Sequence, residues 1–321
     1  MTTYRWTKLG RPFVPQEIKG RPWLHGFAQA PHVLHLEDRL RVYFSCRPEP
    51  DPRGQFVSYS AWVDLDRHDP LKVLDLADQP ILSLGALGCF DEFGTYPVSV
   101  IRQGDILRAY YAGWTRCESV PFDTAIGTAI SRDGGKTFQR EGDGPILAAS
   151  LNEPFVISGP KIRCFNGQYQ LFYIAGSKWK MVDGRAEPVY KIRMATSKDG
   201  LHWQRLGRDL IESRIEPDEA QASPDVFEWG GVFHMFFCYR YSAGFRGKEK
   251  GYRIGYASSK DLVNWTRDDT RAGLEVAPAG WDSEMVAYPH VFEVGGVIYL
   301  AYLGNGVGRE GFGIARLEGT L

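Results

Sequence analysis

The chain has 321 residues, with 38 Lys and Arg against 39 Asp and Glu and a formal net charge of −1. That balance sets up no global field for nucleic acid or an anionic membrane surface, and no window approaches the ~18 consecutive apolar residues of a spanning helix. At 43% hydrophobic residues the chain has ample material for a core, which excludes intrinsic disorder.

The opening MTTYRWTKLGRPF carries Arg5, Lys8 and Arg11 with no apolar run behind them, so a secretory leader is not expected. From residue 30 onward one phrase recurs: a proline, a short apolar stretch, a tight polar turn, then a strand rich in Tyr and Phe. It reads APHVLHLEDRLRVYFSCR at Pro31, YPVSVIRQGDILRAYYAGW at Pro97 and GPKIRCFNGQYQLFYIAG at Pro160. It returns as SPDVFEWGGVFHMFFCYR at Pro224 and YPHVFEVGGVIYLAYLGN at Pro289. The prolines stand 66, 63, 64 and 65 residues apart. A fixed period of this length marks a repeat architecture, and it leaves no linker between domains. We therefore expect one domain over 1–321.

Each phrase predicts a β-hairpin, with turns at Glu37-Asp38, Gln103-Gly104-Asp105, Asn166-Gly167, Gly230-Gly231 and Gly295-Gly296. A third strand follows in FVSYSAWVD, AIGTAIS, YKIRMATS, YRIGYASS and GFGIARL. Three of these run into SRDGGKTF, SKDGLHW and SKDLVNW, where Ser and Asp side chains bond local amides and the closing aromatic starts a fourth strand. The expected fold is thus all-β: a five-bladed β-propeller of four-stranded antiparallel blades. The last unit lacks a fourth strand. Trp6-Thr7-Lys8-Leu9-Gly10-Arg11 matches Trp203-Gln204-Arg205-Leu206-Gly207-Arg208, so the N-terminal strand is expected to complete the last blade and close the ring.

In such a ring the loops after each second strand share one face with the start of each first strand, and loops crowded on one face of a rigid scaffold carry function. The long ones run 47–55, 114–124, 176–189 and 241–251. They bring Arg47, Trp114, Trp179 and Arg240 to that face, a rim suited to the CH faces and hydroxyls of a sugar. Glu92, Glu219 and Glu284 each stand five residues before a blade proline. If that offset marks one structural position, symmetry brings the three together at the mouth, where mutual repulsion raises at least one pKa and divides acid from base. Asp91, Asp218 and Asp282 beside them read as turn residues or supporting partners. Ala30, Tyr96, Gly159, Ser223 and Tyr288 immediately precede the prolines, and His32 and His290 follow them. His25, Tyr96, Ser223, Tyr288 and His290 are the candidates for holding hydroxyls. Arg47 and Arg240 are the candidates for clamping a carboxylate or phosphate on the substrate. Asp133, Asp199 and Asp261 in the Ser-x-Asp turns fall on the opposite face and read as structural.

Cys46, Cys89, Cys117, Cys164 and Cys238 lie far apart with no Cys-x-x-Cys pair, which argues for reduced thiols in a cytoplasmic protein and against a disulfide or metal framework. No phosphate loop, Gly-x-Ser-x-Gly elbow or His-Glu-x-x-His is present, so no cofactor and no metal is expected.

Five units of this size, the Ser-x-Asp-Gly turns and the proline opening each axis strand resemble the five-bladed propeller glycosidases. These are the arabinanase, levansucrase and invertase superfamily, with glycoside hydrolase families 32, 43, 68 and 130. SRDGGKTF also looks like the Asp-box of the six-bladed sialidases. The resemblance spans the chain and implies a glycoside hydrolase using paired carboxylates in an axial pocket, by the inverting route if it is like family 43. In family 43 an Asp directly before the first blade's proline serves as base; here that position is Ala30. The Asn-Asp-Pro-Asn-Gly and Arg-Asp-Pro motifs of the invertases are missing. Three readings follow from the residues. One is a hydrolase with Glu92, Glu219 and Glu284 as its catalytic pool. Another is a glycoside phosphorylase. The third is a propeller that binds glycan, or assists polysaccharide synthesis, without catalysis. In each the partner is a small carbohydrate or glycan, and the oligomeric state is left open.

Overall fold

The computed structural model describes residues 3–319. Its five four-stranded antiparallel sheets form the five blades of a propeller. The first blade holds Gly26–His35, Arg39–Arg47, Tyr59–Asp66 and Val73–Leu76. The second holds Gly94–Gln103, Ile106–Thr115, Asp123–Ser131 and Gln139–Arg140. In the third are Phe155–Phe165, Gln168–Val182, Arg185–Ser197 and Gln204–Arg205. In the fourth are Ala220–Trp229, Val232–Arg240, Arg253–Ser259 and Trp265–Arg267. The fifth has Ala287–Val294, Val297–Leu303 and Phe312–Leu317, and its outer strand is Trp6–Gly10 from the other end of the chain. Trp6 lies opposite Leu317 and Lys8 opposite Ala315, so the expected closure is present.

Second and third strands carry the apolar mass. Tyr43, Phe44, Tyr110, Phe172, Tyr173, Phe236 and Phe237 are all fully buried between blades. Tyrosine is used there because its ring fills the interface and its hydroxyl finds a partner. Tyr43 donates to the Gly135 carbonyl at 2.9 Å and Tyr110 to the Gly200 carbonyl at 3.0 Å. Each thus pins the Ser-x-Asp turn of the next blade. Within those turns Ser131, Ser197 and Ser259 each bond the Asp two residues on, and the Asp accepts from the amides that follow. The three Ser-x-Asp aspartates are structural.

One segment departs from expectation. Residues 176–189 are not a loop: the second and third strands of blade three stay paired out to Val182 and Arg185, with Trp179 opposite Pro188. Asp183 and Gly184 form the tip at φ 49° and 77°, both in the left-handed region. Two positive φ values in sequence give a tight turn whose twist matches the strands, which is why the pair extends as a β-arm.

Candidate functional site

The five residues that precede the blade prolines meet on the axis. Ala30, Tyr96, Gly159, Ser223 and Tyr288, with Val98, Ser158, Lys161, Ile174 and Ala222, line one cavity of about 30 Å³. A repeated bulge puts them there. In every blade the pairing of first and second strands slips at the proline, between Gln29 and His32, Thr95 and Val98, Ser158 and Lys161, Ala222 and Asp225, and Ala287 and His290. Ala30, Ser223 and Tyr288 hold φ of 51°, 50° and 51°, and Gly159 holds 62°. For the three with side chains this left-handed conformation costs roughly 1–2 kcal/mol each. The bulge turns the pre-proline side chain out of the sheet and toward the axis.

Around the cavity stands a wall of tyrosine and arginine. The Tyr190 and Tyr252 hydroxyls are 2.5 Å apart, and Arg240 Nε donates to both at 3.3 and 3.1 Å. The Arg240 Nη atoms donate to the Tyr241 and Pro188 carbonyls, and the guanidinium lies 3.7 Å from the Phe245 ring centre. Every nitrogen of Arg240 is therefore engaged, which makes it a strut of the mouth and not a free clamp. Arg47 differs. It lies between Phe27 and Phe56, at 4.8 and 5.4 Å from their ring centres, and its buried Nε has no hydrogen-bond partner. Burial pulls its pKa down against the nearby phenols of Tyr96 and Tyr288, whose own pKa values burial raises.

Below the mouth the residues that follow the prolines form a buried charged layer of His32, Lys161, Asp225 and His290. His290 Nδ1 is 3.0 Å from Asp225 Oδ1, and Arg163 pairs with the same carboxylate. Asp225 Oδ2 accepts from the Val291 amide at 2.7 Å. Burial opposes the charge on Asp225, but His290 and Arg163 outweigh it and hold the carboxyl far below its usual range. Burial lowers His290 to about 4 and Lys161 to about 8, and it takes His32 well below the ordinary imidazole value. The His32 ring lies 4.8 Å from that of His290, tilted by 48°, and meets Val100 and Ser99. Among the described residues no group of three or more His, Cys, Asp or Glu is placed to hold a metal ion.

The three glutamates are not brought to this cavity. The acids in equivalent contacts are Asp91, Glu153, Glu219 and Asp282, which stand six, seven, five and seven residues before their prolines. Each meets the cation of its blade's fourth strand: Arg140, Arg205, Arg267 and Lys8. Three of them also accept from a second-strand tyrosine, Tyr111, Tyr173 and Tyr302 at 3.0, 2.8 and 3.0 Å. The shared offset of five is therefore not a shared structural position, because the connecting segments differ in length. Glu219 is fully buried, with Arg267 at 2.6 Å and Gln221 at 2.8 Å on one oxygen and the Arg214 and Ile215 amides on the other. Burial raises its pKa, but those donors outweigh it and the net direction is down, opposite to the shift expected of an acid catalyst. Glu92 is half-buried and accepts from the Gly88 amide at 2.9 Å. Glu284 is exposed beside Arg253, which bonds its carbonyl.

The remaining candidates are spread over the same face. His25 is half-exposed and pairs with Glu49 at 2.7 Å. Trp114 lies across Gly94, where a Cβ would fall 1.7 Å from the indole nitrogen, so its ring covers the strand instead of projecting into the funnel. Trp179 packs edge-on to Phe122 from the β-arm. Tyr96, Ser223 and Tyr288 line the cavity, and His290 lies in the charged layer beneath it. Lys161, Asp225, Tyr190 and Tyr252 were not singled out by the sequence reading. Lys161 and Asp225 occupy the post-proline position of His32 and His290, and both tyrosines begin the repeated phrases YKIRMATS and YRIGYASS.

This arrangement defines a five-bladed propeller of the architecture shared by glycoside hydrolases and glycoside phosphorylases. No family model matches the chain. It is 36% identical over 315 residues to "Uncharacterized protein Rv1502" of Mycobacterium tuberculosis strain H37Rv, covering 98% of this chain and 99% of that one. The same figures hold for "Uncharacterized protein MT1551" of strain CDC 1551, and the chain belongs to the family of these two proteins. Among solved structures it superposes on a "Glycoside hydrolase" with a TM-score of 0.76 at 18% identity, over 96% of this chain and 90% of that chain. A beta-1,2-mannobiose phosphorylase from Listeria innocua gives 0.68 at 14%, over 98% and 96%. A family 130 glycoside hydrolase structure described with Candida mannan gives 0.70 at 14%, over 98% and 93%. At these identities the likeness is one of fold.

Proposed function

We propose that the chain is a glycoside-processing enzyme that works at the axial mouth and recognises an oxyanion there through Arg47. The observation that carries the reading is Arg47 itself, a guanidinium held by two rings with a buried, unpartnered Nε at the rim of the cavity. A guanidinium fork matches a phosphate or carboxylate. The fold it shares with hydrolases and phosphorylases supports the glycoside part.

Phosphorolysis suits this mouth better than hydrolysis. A hydrolase needs two carboxylates flanking the scissile bond and no oxyanion site, whereas phosphorolysis gives the buried, unpartnered Arg47 Nε a role. In phosphorolysis a phosphate oxygen attacks the anomeric carbon as the glycosidic oxygen leaves with a proton, giving a sugar 1-phosphate and an alcohol. Only one protein acid is then required, and Glu92 or Glu284 on the open face would supply it. The cavity is small beside the ~300–1,000 Å³ of usual ligand pockets, so the sugar would sit above it in the funnel.

The test is a panel of glycosides incubated with and without inorganic phosphate, read by release of sugar 1-phosphate. Turnover should require phosphate. Arg47→Met should weaken the apparent phosphate affinity about 10–100-fold, as loss of a charge-assisted bond implies. Turnover independent of phosphate and untouched by Arg47→Met would sink the reading. The carboxylate-free lining also favours a second reading, a glycan-binding propeller without catalysis. Saturable glycan binding with no product under any condition would select it.

A further inference from the structure

We infer that the axial cavity is a binding site for one small monovalent anion of halide size, held by the Lys161 ammonium and the Ser223 hydroxyl. Both residues line the cavity, at 4% and 3% exposure.

The first ground is a count of donors and acceptors around Lys161. Its Nζ lies 3.4 Å from His290 Nδ1. That nitrogen is already 3.0 Å from Asp225 Oδ1. An ionised carboxylate only accepts, so Nδ1 carries the proton and offers no lone pair to the lysine. Asp225 is itself filled by Arg163, His290 and the Val291 amide. Lys161 thus presents three N–H donors in a buried place with no acceptor from these neighbours. Leaving such a group unanswered is costly.

The second ground is Ser223. Its buried Oγ has no hydrogen-bond partner, and its backbone is held at φ 50° to aim the side chain to the axis. The two residues line the one cavity from neighbouring blades. The third ground is charge. Within the layer, Lys161 and Arg163 face the single carboxylate of Asp225, while burial disfavours charge on both histidines. One positive charge is uncompensated. The cavity of about 30 Å³ takes an ion of the size of a water molecule and excludes a sugar ring. The site is on the floor of the mouth, apart from Arg47 on its wall, and it stands whether or not the chain proves to be an enzyme.

The test uses crystals of the whole chain in sodium bromide, with data at the bromine edge. An anomalous peak is expected in the axial cavity, within hydrogen-bond reach of Lys161 Nζ and Ser223 Oγ. In solution, the thermal midpoint should rise saturably with sodium bromide, relative to sodium methanesulfonate at equal ionic strength. Lys161→Met should abolish that difference. If this variant does not fold, Ser223→Ala should, and its apparent bromide affinity should fall about 10-fold for the lost bond to a charge. A bromide crystal with only water in the cavity, or equal midpoints in the two salts, overturns the proposal.

Discussion

Lys8 and Asp282, 274 residues apart, form an ion pair of 2.6 Å that ties the first strand of the chain to the last blade. Asp282 is nearly fully buried and also accepts from the Tyr302 hydroxyl. Lys8→Met keeps the aliphatic stem and strips the charge, leaving a buried carboxylate with one neutral donor. We expect a loss of about 2–3 kcal/mol, below the full cost of orphaning a buried ion because Lys8 is partly exposed. Thr7→Val removes the exposed bond to Glu318 on the same strand and should cost under about 1 kcal/mol. Denaturant midpoints at constant m-value measure both. Equal effects would mean that the pair does not hold the closure.

The glutamates separate by what they hold. Glu219→Gln strips the charge that faces the buried Arg267, which keeps Asp269 as its remaining partner. It should destabilise by about 3 kcal/mol. Glu92→Gln and Glu284→Gln should each change stability by under about 0.5 kcal/mol, as at ordinary surface positions. Any loss of turnover in those two then reports chemistry, whereas a loss in the Glu219 variant reports folding. Chemical unfolding of the three side by side decides it. A fully stable Glu219→Gln would remove its structural role.

The axial histidines set a slope on the acid side. His290 is faced by Asp225, Lys161, Arg163 and His32, and burial lowers it to about 4 from an ordinary 6.5. Between those values the unfolded chain takes up a proton that the folded chain refuses. Stability therefore falls as pH drops from about 6.5 to about 4, and this contribution levels off below that. His32, also lowered by burial, acts in the same direction. In His290→Gln the decline of the thermal midpoint across that window should be shallower. An unchanged slope would show that the imidazole does not titrate with unfolding.

Ala30 sits at φ 51°, where only glycine is at ease. Ala30→Gly trades that strain against the extra freedom of glycine in the unfolded chain, for a net gain of about 0–1 kcal/mol. Ala28→Gly, at a buried position of the same strand without a positive φ, should lose about 1 kcal/mol. Calorimetry of the two variants gives the comparison, and a destabilised Ala30→Gly would contradict the strain argument.

The architecture was legible because periodicity, turn chemistry and the match of Trp6–Arg11 to Trp203–Arg208 all report local structure that repeats. The axial ring of pre-proline residues was legible for the same reason, since symmetry turns a fixed place in the repeat into a place in space. Glu92, Glu219 and Glu284 share an offset but not a structural position, because they precede the strands on segments of unequal length and counting back from a proline loses register there. Asp183-Gly184 has the chemistry of a hairpin turn, but analogy with the loops of the other blades hides the strand pairing on either side of it. Arg47 and Arg240 looked alike in sequence. Only packing distinguishes a guanidinium bonded through every nitrogen from one held by aromatic faces.

The bulge before each proline uncouples what a blade shows to the axis from how the blade is built. The residue that lines the cavity sits where the strand pairing slips, so its side chain takes no part in the sheet's cross-strand packing. The floor of the mouth can therefore be rewritten one letter per blade, five letters in all, while the ring around it stays the same. Alanine, tyrosine, glycine, serine and tyrosine are this chain's spelling, and an acid placed at position 30 would alter the word without touching the page.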